Sequence, residues 1–409
     1  MLAVVTVACH SGPSPRAVPE ARWLATWQAS PQLVEPRNMP PAPGLTGNTL
    51  RQMIRVSRGG TRWRFRLSNE FGDGPLVISS VHVARSRGRD TIDAATDVAM
   101  SFGGSRAITI PVGSAVTSDA LGIECPAFCQ LTISMHIASA PSGVTGHPGS
   151  RTTSFIARGD RVVAPTLAGA VTTEHWYVLS GAQVQAAGNT AAVVVLGNSI
   201  ADGRGSGTDR NDRWPDNLAR RLAANEKTAN VAMLNAGIGG NTILRGGLGP
   251  TALARFDRDV LDQPGARWLI VSEGVNDIGG ARGGDSSAAV ARELIDAYRQ
   301  IITRAHARGI LVYGATILPF MGSQYGSPDH EAARQTVNRW IRESGAFDSV
   351  IDLDAVMRDP ANPSRLRPDA DTGDHLHPNE AGYRLLASAI DLSLFEAGRP
   401  VRSDSVPPR

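Results

Sequence analysis

Two hydrophobic rhythms divide the chain. From Arg22 to about Val184 apolar residues recur at every second position. The clearest case is Thr61-Arg-Trp-Arg-Phe-Arg-Leu-Ser68, where Trp63, Phe65 and Leu67 point one way and Arg62, Arg64 and Arg66 the other. That alternation predicts a half-buried antiparallel strand with a solvated arginine face. Similar short strands are predicted at Leu50–Val56, Leu76–Val83, Ala107–Pro111, Leu131–Ile137 and Trp176–Val184. Gly, Asp, Pro and Ser cluster between them, as in Asn69-Glu-Phe-Gly-Asp-Gly-Pro75. Many short strands with turn signals and no helical period predict an all-β sandwich or jelly roll.

From Ala191 the rhythm changes. Ala191–Leu196 is continuously apolar, as in a strand buried on both faces. Further strands are predicted at Val231–Leu234, Trp268–Ser272, Ile310–Ile317 and Val350–Leu353. Helical patterns alternate with them. One begins near Trp214-Pro215-Asp216 and carries Leu218 and Leu222 on one face. A long one, Ser287–Arg308, carries Val290, Leu294, Ala297 and Ile301 and ends at Gly309, a usual capping position. Glu331–Ser344 and Pro378–Leu394 are the last two. Strands alternating with helices predict an α/β domain whose parallel sheet is covered on both faces. The organisation read from these rhythms is a leader-like segment and linker over 1–21, a β-sandwich over 22–187, an α/β domain over 188–398 and a tail over 399–409.

Composition adds an address more than a chemistry. A length of 409 residues suits two domains. A net charge of +3 is too small to argue for nucleic acid, and Lys227 is the only lysine. No apolar run reaches the roughly 18 residues of a membrane helix. The start, Met1-Leu-Ala-Val-Val-Thr-Val-Ala-Cys9, resembles the end of a bacterial lipoprotein signal, with Cys9 as the lipidated membrane anchor. It lacks a basic region and has Thr6 where a larger aliphatic residue is usual. Ser11–Ala21 is rich in Pro and Ser and reads as a linker. Cys125 and Cys129 remain as an even pair, either closing a small loop in an oxidising compartment or packed as thiols. These signs point to export, to the cell exterior or the periplasm.

Four short stretches fall at or just beyond predicted strand ends of the second half. They are Gly197-Asn-Ser199-Ile, Asn235-Ala-Gly-Ile-Gly-Gly240-Asn-Thr, Glu273-Gly-Val-Asn276-Asp and Asp374-His-Leu-His377-Pro. Parallel sheets place their ligands at such ends. A neutral serine needs a base to become a nucleophile, and His377 is the candidate. A base histidine needs its other nitrogen held by an acceptor, and Asp374 lies three residues earlier. Acyl transfer builds an oxyanion. A glycine such as Gly240 can present its N–H closely, and Asn276 can aim a side-chain amide. His375 and His377 form a His-x-His pair without the further ligands of a metal site. Gly203-Arg-Gly-Ser-Gly207 reads as a turn, since it lacks the Lys-Ser/Thr ending of a phosphate loop. Trp214 and Phe320 are candidates for the wall of a substrate pocket, with the core as the plainer place.

The region from about Val193 to Leu394 resembles the SGNH hydrolases, the GDSL-type esterase superfamily, through these four blocks in this order. The resemblance implies a flavodoxin-like α/β/α sandwich. It implies Ser199 as nucleophile, His377 as base, Asp374 as its partner, and an oxyanion hole of Ser199 N–H, Gly240 N–H and Asn276. It implies no metal and no organic cofactor. The N-terminal half is similar to the β-rich domain that precedes this fold in some secreted bacterial members. The expected activity is a serine esterase on short-chain esters, including O-acetyl groups on carbohydrates. The rivals are a long-chain lipase or thioesterase, and a non-catalytic glycan-binding protein with a degenerate site. The last gains support from Asn198, which stands where the family usually has Asp.

Overall fold

The computed structural model describes residues 21–396 and 398. The segment that holds Cys9, and the tail from 399, lie outside the described residues. In the first half two antiparallel sheets face one another. One has the spatial order Arg22–Gln28, Leu179–Ala186, Gly60–Asn69, Leu121–Cys125. The other is centred on Asn48–Arg55, Gln130–Ser139 and Leu76–Gly88. The period-two reading holds in detail: Trp63, Phe65 and Leu67 are fully buried and share a core with Leu131, Ile133, Met135 and Ile137. The arginine face is less solvated than expected. Only Arg62 is exposed, while Arg64 lies 4.4 Å over the Trp23 ring and Arg66 pairs with Glu70 at 3.1 Å. Cys125 and Cys129 are joined in a disulfide.

The strand expected over Trp176–Val184 is broken at Val178, whose φ is 65°. A β-branched residue rarely takes that left-handed conformation. Two backbone hydrogen bonds hold it, Val178 N–H to Thr145 O at 3.0 Å and Ser68 N–H to Val178 O at 2.7 Å. Trp176–Tyr177 therefore leaves the main sheet and joins Thr145–His147 and Gln32–Leu33 in a small three-stranded ribbon. Alternation alone could not show this, because the apolar period runs through the kink.

The second half is a five-stranded parallel sheet in the order Val231–Gly237, Ala191–Gly197, Ala266–Ser272, Leu311–Ala315, Ser349–Ile351. In sequence order that is 2-1-3-4-5, the flavodoxin-like arrangement. The continuous apolar strand serves two cores. Val193 and Val195 pack with Trp214, Leu218, Leu222 and Leu386 on one face. Val194 and Leu196 pack with Leu294, Ile301, Val337 and Ile341 on the other. The last helix is shorter than expected, Glu380–Ser388 capped by Asn379, and is followed by a 3-10 turn over Leu392–Phe395. Asp391 caps that turn by accepting the Ser393 N–H at 2.9 Å. Among the described residues no helix is long and apolar enough to cross a membrane.

The halves meet without a break in the core, since Leu24 and Trp27 belong to the same apolar cluster as Ala192, Val194 and Leu234. Hydrogen bonds reinforce the seam. Ala25 N–H donates to Pro264 O at 2.8 Å, Gln28 Nε2 to Asp259 O at 3.1 Å and Ser57 Oγ to Met233 O at 3.1 Å.

Candidate active site

The Ala191–Gly197 strand turns abruptly into the short helix Ser199–Asp202. Gly197 is required there, because a Cβ would come within 2.5 Å of the Ala201 Cβ. Asn198 then caps the turn, its Oδ1 accepting the Ile200 N–H at 3.0 Å. Ser199 is thereby fixed at the strand end. Its Oγ lies 2.9 Å from His377 Nε2, and His377 Nδ1 lies 2.7 Å from Asp374 Oδ2. The second oxygen of Asp374 accepts the backbone N–H groups of His377 at 2.8 Å and Leu376 at 3.0 Å. A carboxylate at Nδ1 places the proton on that nitrogen and leaves the Nε2 lone pair for the serine hydroxyl.

Electrostatics suit that assignment. Burial holds His377 below the ordinary histidine range; Asp374 opposes this, and Arg204 and Arg151 add to it. Burial works against ionisation of Asp374, but the His377 ring and the two backbone N–H groups outweigh it and hold the carboxyl well below the usual carboxylate range.

Gly240 and Asn276 line the same cleft as Ser199 and His377. Gly240 has φ 72°, a conformation that favours glycine. Asn276 is oriented from both ends: its Nδ2 donates to Asn241 O at 2.7 Å, and Tyr325 donates its hydroxyl to Oδ1 at 3.1 Å. An amide nitrogen carries two hydrogens, so one remains for a ligand. All five residues singled out from the sequence, Ser199, Gly240, Asn276, Asp374 and His377, are brought to one place. Trp214 and Phe320 are not at its wall: both are fully buried in the cores. His375 is turned away from His377 and pairs with Asp371 at 2.7 Å.

Several supporting residues were not singled out from the sequence. Arg255 is fully buried and donates to Gly197 O, Ala236 O and Asn241 Oδ1 at 3.1, 2.6 and 2.8 Å, while pairing with Asp259 at 3.0 Å. It thus ties the ends of two strands to the loop after Gly240. Asp277 accepts the N–H groups of Ile243 at 3.0 Å and Leu244 at 2.9 Å, which steadies that loop from the Asn276 side. His147, from the first half, hydrogen-bonds Asp202 at 2.9 Å and Ser30 O at 3.0 Å, so the helix that begins with Ser199 is anchored across the seam. A lone arginine, tyrosine or histidine far from any motif gives no pattern to read.

Asn198 also has a second role. Its Nδ2 faces Glu273 Oε2 at 3.2 Å and Ser272 O at 3.4 Å. Burial pushes Glu273 up to about 8; Arg255 opposes this, and nearby Asp277 adds to the rise. The Arg255 guanidinium stands 3.6 Å from Glu273 Oε1, too far for a hydrogen bond, and it does not offset the burial. Near neutral pH Glu273 therefore holds a proton that it can share with an aspartate at 198. Asn198→Asp keeps the cap and is expected to change kcat by less than roughly tenfold, or about 1.4 kcal/mol of barrier. Asn198→Ala loses the cap and should lose more; steady-state kinetics of the two variants side by side checks the order. An inert wild type revived by Asn198→Asp would reverse it.

A model of the GDSL-like lipase/acylhydrolase family matches residues 195–385. No curated protein matches the chain. Among solved structures, an acetylxylan esterase from Geobacillus stearothermophilus is similar at 22% identity and a TM-score of 0.37, covering 52% of this chain and 97% of its own. A GDSL-like lipase from Bacteroides thetaiotaomicron is similar at 20% identity and a TM-score of 0.35, covering 48% of this chain and 84% of its own.

Proposed function

We propose that the chain, whose residues 195–385 match a model of the GDSL-like lipase/acylhydrolase family, is a carboxylic ester hydrolase, a serine esterase working through an acyl-enzyme on Ser199. The observation that carries this reading is the unbroken chain of hydrogen bonds from Ser199 through His377 to Asp374 at the floor of an open cleft. His377 takes the hydroxyl proton as Ser199 attacks the ester carbonyl. The developing oxyanion is met by the N–H groups of Ser199 and Gly240 and the remaining N–H of Asn276. The histidinium gives its proton to the leaving alcohol. Water, activated by the same histidine, then releases the acid. No metal or organic cofactor enters these steps.

The open cleft has a volume of about 370 Å³ and its wall is mainly polar, with Leu248, Leu376 and Pro148 among its few apolar side chains. A long acyl chain needs a continuous apolar channel to leave water. The wall favours short acyl groups, including O-acetyl groups on carbohydrates, over a long-chain lipase or thioesterase. The engaged Ser199 and His377 speak against a degenerate binding module. An exported protein, anchored by a lipid on Cys9, is the address we favour, and the Cys125–Cys129 disulfide fits an oxidising compartment.

A panel of acyl esters of one alcohol, with chains growing from acetyl to palmitoyl, tests the reading. kcat/KM is expected to be highest for acetyl or propionyl and to fall along the series, with acetylated polysaccharides also deacetylated. A maximum at long chains would overturn the short-acyl assignment.

A further inference from the structure

The cleft is built by both halves of the chain. The second half supplies Ser199, Gly240, Asn276 and His377, while the first half supplies Gln32, Glu35, Arg37, Asn38, Arg151 and His175 as the facing wall. The kink at Val178 and the small ribbon that includes Gln32–Leu33 and Thr145–His147 carry that wall to the cleft. Its acidic groups already have partners: Glu35 accepts from Gln32 at 2.7 Å and Asn38 at 2.8 Å, and Asp202 from His147. Its cations do not. Among the described residues, Arg37, Arg151 and Arg204 have no carboxylate partner, and the Nε of Arg151 is buried with no hydrogen-bond partner at all.

Two of these arginines have their backbones held by hydrogen bonds. Arg151 has φ 49°, a strained conformation for a side chain of its size, and is clasped there by the Asp209 N–H on its carbonyl at 2.9 Å. Arg204 donates its N–H to Ser199 O at 2.9 Å and accepts the Tyr383 hydroxyl on its carbonyl at 2.5 Å. Both line the same cleft as Ser199 and His377, and both add to the burial that disfavours the charged form of His377. His377 is the group that hands a proton to the departing alcohol, and the cleft wall that the arginines share with it points to the alcohol side of the ester.

We propose that the first half of the chain is the recognition wall for the alcohol part of the substrate, and that Arg151, Arg204 and Arg37 together bind a carboxylate carried by that alcohol, as in an O-acylated acidic sugar. This rests on the esterase reading. It adds the charge of the substrate and gives the β-rich half a direct part in choosing it. Three guanidinium groups without a paired carboxylate line this cleft, and a planar carboxylate is the group that such donors pair with best.

Two pairs of small esters test it on the full chain. para-Acetoxybenzoate and its neutral methyl ester differ in charge on the alcohol side. Phenyl hemisuccinate and neutral phenyl butyrate differ in charge on the acyl side. Wild-type kcat/KM is expected to favour para-acetoxybenzoate over its methyl ester by roughly tenfold more than the Arg151→Gln/Arg204→Gln variant does, the effect of charge-assisted hydrogen bonds. The preference should shrink as salt rises, and Arg→Lys at both positions should restore part of it. The readout is a ratio within each protein, so a general loss of activity cancels. If the glutamine variant does not fold, the wild-type ratio and its salt dependence still decide. Equal use of the charged and neutral alcohols, or a preference for the charged acyl group instead, would overturn the proposal. In either case Ser199-dependent turnover would leave the esterase reading standing, whereas turnover that survives Ser199→Ala would remove both.

Discussion

Ser199→Ala lowers kcat by roughly 10⁶-fold with little change in thermal stability, the expected result of removing a nucleophile that acts as one unit with its base. The folded state loses one hydroxyl hydrogen bond, from Ser199 Oγ to His377 Nε2. On the proposed mechanism the reaction loses the atom that would form the acyl-enzyme. The same unit sets the pH profile. His377 must be neutral to accept the proton, and burial, with Arg204 and Arg151, holds it below the ordinary value of about 6.5. A lowered value means the neutral form persists further into acid. The acidic limb of kcat/KM is therefore expected below pH 6.5, with a plateau at neutral pH. Wild-type turnover in the Ser199→Ala protein, or an acidic limb well above pH 7, would dismantle the mechanism.

Arg255→Met is expected to cost about 3–5 kcal/mol of stability, because buried Asp259 keeps only Arg258 as a cation partner and three buried acceptors lose their donor. Asp259 would remain buried, and Gly197 O, Ala236 O and Asn241 Oδ1 would lose a shared donor. Those acceptors border the loops that carry Ser199 and Gly240, so kcat should fall as well. Arg258 provides the control. It pairs with the same Asp259 at 2.6 Å but is nearer the surface, with 18% of its side chain exposed, and Arg258→Met should cost less. Chemical denaturation of the two variants measures the difference. Equal midpoints for Arg255→Met and wild type would show that the buried arginine is not the tie described.

Period and spacing determined a good deal by themselves. The alternation around Trp63, Phe65 and Leu67 marks a two-sided strand, because successive side chains in a pleat must face opposite ways. The unbroken run from Ala191 marks a strand covered twice, and the structure places helices on both of its faces. Asp374 and His377 could be paired from sequence because three residues separate them and a tight turn suffices. Ser199, Gly240 and Asn276 were legible because parallel strands bring their carboxyl ends to one edge whatever lies between them.

Contacts that join distant stretches of chain were decided only by the tertiary structure. The exit of Trp176–Tyr177 from its sheet depends on two hydrogen bonds at Val178 to remote segments, and no local period records them. Arg255, Tyr325 and His147 act through partners that lie far away in sequence or carry no motif, so their residue types alone are uninformative. The same holds for the facing wall of the cleft. Arg37 and Arg151 belong to no motif in the sequence, and they reach the proposed recognition wall because the β-rich half packs its core directly onto the parallel sheet. Local sequence sets the elements and the groups they carry; which groups meet across the seam is set by packing, since burial is a property of the whole assembly of strands and helices.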